Sequence, residues 1–119
     1  MDHSPEFLKL VDEAKVSIRE ISVAETLERI TNGAVLVDVR EDNEFDTEHA
    51  AGSIHMGRGV IERDIVNNYP DKATELILYC GGGYRSALAA ANIQKMSYTN
   101  VWSMAGGWTA WQESGAPVE

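Results

Sequence analysis

Cys80 is the only cysteine of the chain, and it stands where an apolar run gives way to glycines. Before it, Glu75-Leu76-Ile77-Leu78-Tyr79 reads as a buried parallel strand. After it, Gly81, Gly82, Gly83, Tyr84, Arg85 and Ser86 lead into an alanine-rich helical stretch. A glycine-rich turn entering a helix points backbone N–H groups inward and makes a cradle for an anion. The helix N-terminus and the cationic Arg85 both favour the anionic form of a thiol held there. A lone cysteine is more often a small buried hydrophobe. Two features weigh against that here. Sites of open α/β sheets lie beyond the carboxyl ends of strands, and a structural cysteine gives no reason for three consecutive glycines, which cost backbone entropy on folding. The stretch therefore reads as a reactive nucleophile built to meet a small anion.

The rest of the chain must place that loop. The pattern predicts a helix from Pro5 to Lys15 with Phe7, Val11 and Ala14 on one face, then a strand over Val16 to Ile21. Ser22-Val23-Ala24-Glu25 is a capping box, and the helix it opens carries Val23, Leu27 and Ile30 before ending at Asn32-Gly33. A second apolar strand, Ala34 to Val37, runs into Asp38-Val39-Arg40. Glu41 to His49 is helix-prone around Phe45, Gly52 to Met56 suggests a short strand, and Gly57 to Asn68 a loop and helix halted at Pro70. Ser86 to Met96 reads as helix, Tyr98 to Met104 as a last strand, and Gly106 to Glu113 as a last helix bearing Trp108 and Trp111. Strands alternating with helices at this spacing imply an α/β fold, a central mostly parallel sheet of about five strands with helices on both faces. Residues 1–17 are expected to form a helical extension and residues 18–119 the domain proper.

At 119 residues the chain is large enough for a core without staples. One cysteine excludes an intramolecular disulfide framework and suits a reducing compartment. With neither a signal-like start nor a membrane-length apolar run, the expected location is cytoplasmic. A net charge of −9 argues against nucleic acid or an acidic membrane as partner. It also means that attraction for an anionic substrate must come from the local cradle. His3, His49 and His55 lack partners at metal-ligand spacing, so no metal is expected, and no cofactor motif occurs: Ser86 stands where a dinucleotide fingerprint needs its third glycine, and there is no P-loop. His49 reads as a hydrogen-bonded structural residue, His3 as solvated, and the two tryptophans as core.

Taken together, these residues are arranged as in a known family: the chain resembles a single-domain rhodanese, a sulfurtransferase. Val37-Asp38-Val39-Arg40 with Glu44-Phe45 looks like the family's first segment, and His49, Gly52 and Ile54 fall in its His-Ile-x-Gly-Ala-Ile stretch. Cys80 to Ser86 resembles its Cys-x-x-Gly-x-Arg-Ser loop. Gly106-Gly107-Trp108-Thr109-Ala110-Trp111 resembles its Gly-Gly-Trp-x-x-Trp close, and Gly115 to Val118 its tail. The likeness spans residues 18 to 118. Departures are Glu48, Ala50 and Ala51 around His49, and Gly81 and Gly82, which replace larger, sometimes basic residues and remove side-chain contacts to a substrate.

The resemblance implies a rhodanese-like fold and a Cys80 persulfide that carries sulfur from a small sulfur-containing anion such as thiosulfate, or from a persulfide donor. The acceptor would be a thiol or cyanide, a protein sulfur acceptor remaining open. It implies that Gly81, Gly82, Gly83, Tyr84, Arg85 and Ser86 bind the substrate, with loop N–H groups around the sulfur. Arg85 either favours the thiolate and guides the donor or ties the loop to Asp38 or another carboxylate. Ser86 is expected chiefly as the helix N-cap, with a second role toward the persulfide. Asp38 and Arg40 are expected to support the site as ties between loops, Arg40 with Glu44 being one plausible pair. The rival reactions are those of cysteine phosphatases and arsenate reductases, whose Cys-x-x-x-x-x-Arg loop seats a tetrahedral oxyanion. Four residues separate Cys80 from Arg85, a shorter cradle that suits a single sulfur. The rival of another class is a non-catalytic rhodanese-like module for sulfur carriage, sensing or protein binding; Cys80, the glycines and Arg85 argue against an inert module, and a carrying or sensing role stays open.

Overall fold

The computed structural model describes residues 3–119. Its sheet contains β1 (Arg19–Ile21), β2 (Val35–Asp38), β3 (Ile54–His55), β4 (Leu76–Tyr79) and β5 (Val101–Met104) in the order β1-β5-β4-β2-β3. Every ladder is parallel, and β4 lies in the centre, paired with β2 through Asp38 and Tyr79 and with β5 through Leu78 and Ser103. Parallel strands need helical crossovers, which cover both faces. Val37, Leu76, Leu78 and Cys80 share a core with α1 (Pro5–Ser17), α4 (Ile61–Asn68) and α5 (Tyr84–Lys95). Leu36, Ile77 and Tyr79 point the other way, toward Leu27 and Ile30 of α2 (Val23–Thr31) and Trp111 of α6 (Gly107–Glu113). This period-two alternation explains why β4 reads as unbroken apolar sequence. Alanines 87, 89 and 90 of α5 are fully buried, so their small side chains let that helix lie close to the sheet.

The capping box at Ser22 and Glu25 forms as read from the sequence. The short helix α3 (Asp42–Thr47) and β3 sit within their expected segments. Two strand expectations change. Val16 belongs to α1 and is 87% exposed, because the helix continues to Ser17, whose hydroxyl donates back to Ala14; pairing with β5 starts only at Arg19. At the other end, residues 98–100 precede β5. Ser97 takes a left-handed φ of 77°, Tyr98 is buried with its hydroxyl donating to the Tyr69 carbonyl, and ladder pairing begins at Val101. No helix among the described residues is long and apolar enough to cross a membrane.

Candidate active site

β4 delivers Cys80 to the carboxyl edge of the sheet. The loop that follows turns through Gly83, whose φ of 97° is a left-handed value that a Cβ would penalise. That turn aims the Gly83 N–H at the cysteine: it donates to Cys80 Sγ at 3.1 Å. α5 begins at the next residue, so the positive end of a 12-residue helix adjoins the sulfur. Cys80 is only 1% exposed, yet it forms part of the floor of a cleft of about 760 Å³. Gly81, Gly82 and Arg85 of the loop line it, with Glu44 from α3 and Thr109 from α6.

Ser86 departs from expectation. Gly83, not Ser86, is the N-cap, and Ser86 lies inside the first turn, fully buried behind the cysteine. Its Oγ is 3.6 Å from Cys80 Sγ and 2.8 Å from Ser103 Oγ. With a thiolate at position 80, Ser103 can donate to Ser86 while Ser86 turns its proton to sulfur, so each hydroxyl is used once as donor. Ser103 was not singled out from the sequence. A serine at an inward position of an otherwise apolar strand was its signal, since a buried hydroxyl needs a partner.

Arg85 ties to a carboxylate, but to Glu44 and not Asp38: Nη1 donates to Oε1 at 3.3 Å. Burial works to raise the Glu44 carboxyl, yet the Glu41 backbone and the Arg85 guanidinium outweigh it and hold Glu44 below the usual carboxylate range. A carboxylate so held stabilises the fold above its ordinary pKa, and the contribution is lost as pH falls through the lower folded value. Both side chains are about a third exposed, so solvent screening keeps the effect under about 1 kcal/mol. Glu44→Gln is therefore expected to lower the urea midpoint slightly at pH 7, with the difference from wild type vanishing in acid below the carboxylate range. A difference that persists there would mean that packing, not charge, joins these residues.

Asp38 and Arg40 form a buried ion pair. Asp38 accepts from the Arg40 backbone at 2.8 Å, from Arg40 Nε and Nη2, and from the Tyr79 hydroxyl at 2.6 Å. Tyr79 is pushed above its ordinary value by burial and by that bond, which keeps its proton in place. Arg40 also donates to the Glu48 carbonyl, lies over Trp108, and makes its ion pair with Asp38 where Glu44 had been the expected partner. Tyr79 in turn accepts the Ala50 N–H. The pair thus ties β2, β4 and the segment around His49 together beside Cys80. His49 is held as a structural residue, bonded through Nδ1 to Phe45 and paired by backbone bonds with Glu119.

α6 closes the loop from above. Trp108 N–H donates to the Cys80 carbonyl at 2.7 Å, and Thr109 N–H to that of Gly81 at 3.2 Å. The approach needs Gly107, because a Cβ there would stand 2.3 Å from the Cys80 oxygen. Trp111 is fully buried and Trp108 half-buried, consistent with core roles. His3 corrects the sequence reading: it is half-buried, its ring 4.7 Å from that of Tyr84, and it lines the cleft. No signal in the sequence gave it that neighbour. Among the described residues, no cluster of three or more His, Cys, Asp or Glu side chains is placed to hold a metal.

A parallel α/β sheet presenting one buried thiol on a glycine loop, at a helix N-terminus and beneath an open cleft, defines a class of cysteine-dependent group-transfer domains. Residues 22–114 match the model of the rhodanese-like domain, and the chain belongs to that family. A thiosulfate sulfurtransferase GlpE from Actinobacillus succinogenes is 33% identical over 92 residues, covering 75% of this chain and 78% of the relative. A GlpE from Pseudoalteromonas translucida is 30% identical over 98 residues, covering 82% and 91%. A solved Rhodopseudomonas palustris protein, described as of unknown function and a possible tyrosine phosphatase, superimposes with a TM-score of 0.82 at 29% identity, covering 100% of this chain and 99% of that one.

Proposed function

We propose that this protein is a rhodanese-type sulfurtransferase that carries sulfane sulfur on Cys80, taking it from thiosulfate or a persulfide. The observation that carries the reading is the sulfur itself: Cys80 Sγ, on the cleft floor, accepts the Gly83 N–H at 3.1 Å where α5 begins. The Cys80 thiolate attacks the outer sulfur of thiosulfate; the sulfur–sulfur bond breaks, sulfite leaves with the electron pair, and a persulfide anion remains on Cys80. A thiol or cyanide then attacks the terminal sulfur and restores the thiolate. The Gly83 N–H, the helix end and the Ser86 hydroxyl stabilise the negative sulfur at each stage. Gly81, Gly82, Tyr84 and Arg85 line the path of the substrate, and Asp38 and Arg40 hold the loop's base. A free thiol that must stay reduced suits the cytoplasm, the compartment we assign. The GlpE relatives are thiosulfate sulfurtransferases by name, which supports the same reading.

Phosphoryl transfer fits less well, although one structural relative is described as a possible phosphatase. The loop has four residues between Cys80 and Arg85, one fewer than the Cys-x-x-x-x-x-Arg loop that seats a tetrahedral oxyanion, and the shorter cradle suits a single sulfur atom better than a phosphoryl group.

Intact-protein mass after thiosulfate and then cyanide tests the proposal. Wild type is expected to gain one sulfur atom and lose it to cyanide, with thiocyanate formed over many turnovers, and Cys80→Ser is expected to do neither. Failure to take sulfur from thiosulfate and from persulfide donors would leave a non-catalytic module as the better description.

A further inference from the structure

α1 lies before the segment that matches the family model, yet its first turn reaches the cleft. Phe7, on α1, and His3, just before the Ser4 N-cap, set their rings 5.1 Å apart. Tyr84, at the start of α5, meets both edge-on, 4.7 Å from His3 and 6.3 Å from Phe7. Lys15, farther along α1, places its Nζ 5.6 Å from the Tyr84 ring and helps hold it. Three aromatic rings thus make one continuous wall beside the nucleophile.

The glycines of the loop keep the space before that wall open. Gly81 and Gly82 do not take left-handed conformations. A Cβ on either would make ordinary contact, 3.4 Å from Arg85 Nη2 and 3.5 Å from Tyr84 Cε2. Neither backbone nor contact demands glycine there; what a side chain would take is room in the cleft. The resulting 760 Å³ falls within the roughly 300–1,000 Å³ of sites for drug-sized ligands. Thiosulfate has no apolar surface to set against the rings and would fill only a fraction of the volume.

We propose that the sulfur donor used at this site is an organic sulfane-sulfur compound with an aromatic body, which packs against His3, Phe7 and Tyr84 while its terminal sulfur meets Cys80. The proposal rests on the sulfur-transfer reading and names the substrate class. For a thiosulfonate, the thiolate electron pair forms the new bond to the outer sulfur, the bond from that sulfur to the sulfonyl sulfur breaks, and the sulfinate leaves with the pair. For an aromatic persulfide the leaving group is the thiolate. Neither step needs an external oxidant or reductant. Arg85 lines the same cleft, so the sulfonyl oxygens of a thiosulfonate seated against the wall would meet its field, and wall and charge would select together.

Benzenethiosulfonate and methanethiosulfonate share the reacting sulfur and differ in the body. Their kcat/KM values, with cyanide as acceptor and each divided by the donor's rate with a simple thiol, isolate what the wall adds. The expected normalised preference for the aryl donor is about tenfold, the scale of one good aromatic contact. Phe7→Ala and His3→Ala are each expected to cut it severalfold. Phe7 also packs on the core, so thermal unfolding accompanies its kinetics, whereas His3 precedes the helix and its loss leaves the α1 packing in place. A normalised preference near unity in wild type would overturn the proposal, as would one that both variants retain. In either case turnover of methanethiosulfonate and thiosulfate would show that sulfur transfer itself stands. Inactivity toward every donor would remove the foundation as well.

Discussion

Gly107→Ala is expected to unfold about 10 °C below wild type and, where still folded, to lose on the order of 100-fold in sulfur transfer. Gly107 has a φ of 53°, which an L-residue adopts at a cost of roughly 1–2 kcal/mol. More important, the new Cβ would lie 2.3 Å from the Cys80 oxygen and 3.0 Å from the Cys80 and Gly81 carbonyl carbons. These are backbone atoms with no rotamer to yield. The N-terminus of α6 must withdraw, and the bonds from Trp108 N–H to Cys80 and from Thr109 N–H to Gly81 lengthen or break, at about 1 kcal/mol each. Those carbonyls fix the orientation of the peptide planes leading to Gly83, so the N–H that meets the sulfur loses its aim. Gly33→Ala supplies the comparison. Its φ is 102° with nothing within 4 Å of the added Cβ, so it carries the conformational strain without the clash. It should lose roughly 1–2 kcal/mol and no activity. Equal behaviour of the two variants in thermal unfolding and thiocyanate assays would show that the close approach of α6 to the loop does not matter.

What the sequence revealed follows from which interactions are local. β4 was legible because a strand buried on both faces has no polar interruption from Leu76 to Tyr79. The capping box was legible because Ser22 and Glu25 satisfy each other's backbone within four residues. Val16 was misplaced in a strand because β-branched character says little about where a helix ends; pairing with β5 decides it. Serine is a good cap, which points to Ser86, but the cap position falls on Gly83, where the turn that serves the sulfur needs a positive φ. The same loop thus follows two local rules, and the geometry of the cysteine overrides the capping preference.

The polar surroundings of the site were less legible, since they are assembled from distant elements. Arg85 had a carboxylate partner foreseen in kind, but Glu44 arrives from α3, 41 residues away. Ser103 reaches Ser86 only because β5 and β4 are neighbours. His3 and Phe7 meet Tyr84 only because α1 lies along α5, a packing that the pattern Phe7, Val11, Ala14 implies without naming the partner. The Asp38-Val39-Arg40 segment could be read as a tie, but not that Asp38 would serve Arg40 and Tyr79 at once.

That last arrangement makes Asp38→Asn the substitution with the largest expected loss of stability, about 3–5 kcal/mol, or at least about 10 °C in melting temperature. Asp38 is fully buried and receives donors on both oxygens: the Arg40 backbone and Nε on one, Arg40 Nε, Nη2 and the Tyr79 hydroxyl on the other. An asparagine of the same shape must present its NH₂ to one of these sets, where donor meets donor. Its neutral side chain also leaves the Arg40 guanidinium, 3% exposed as a residue, without its counter-charge. Burial alone would push the guanidinium to release its proton, and it is Asp38 that reverses the tendency and raises Arg40. Breaking one side of such a pair strands the other in a medium that solvates it poorly. Arg40→Gln should be costly for the reciprocal reason. The double variant should be scarcely worse than either single one, because no charge is then left alone. A denaturant-unfolding cycle of the four proteins measures this coupling, and additive losses would show that the two residues act separately. Because Asp38 pairs across the sheet with Tyr79, the residue before Cys80, the loss should reach the active thiol too. Persulfide formation in Asp38→Asn, measured well below its melting temperature, should be slower than in wild type, while Gly33→Ala, strained but remote, should match wild type.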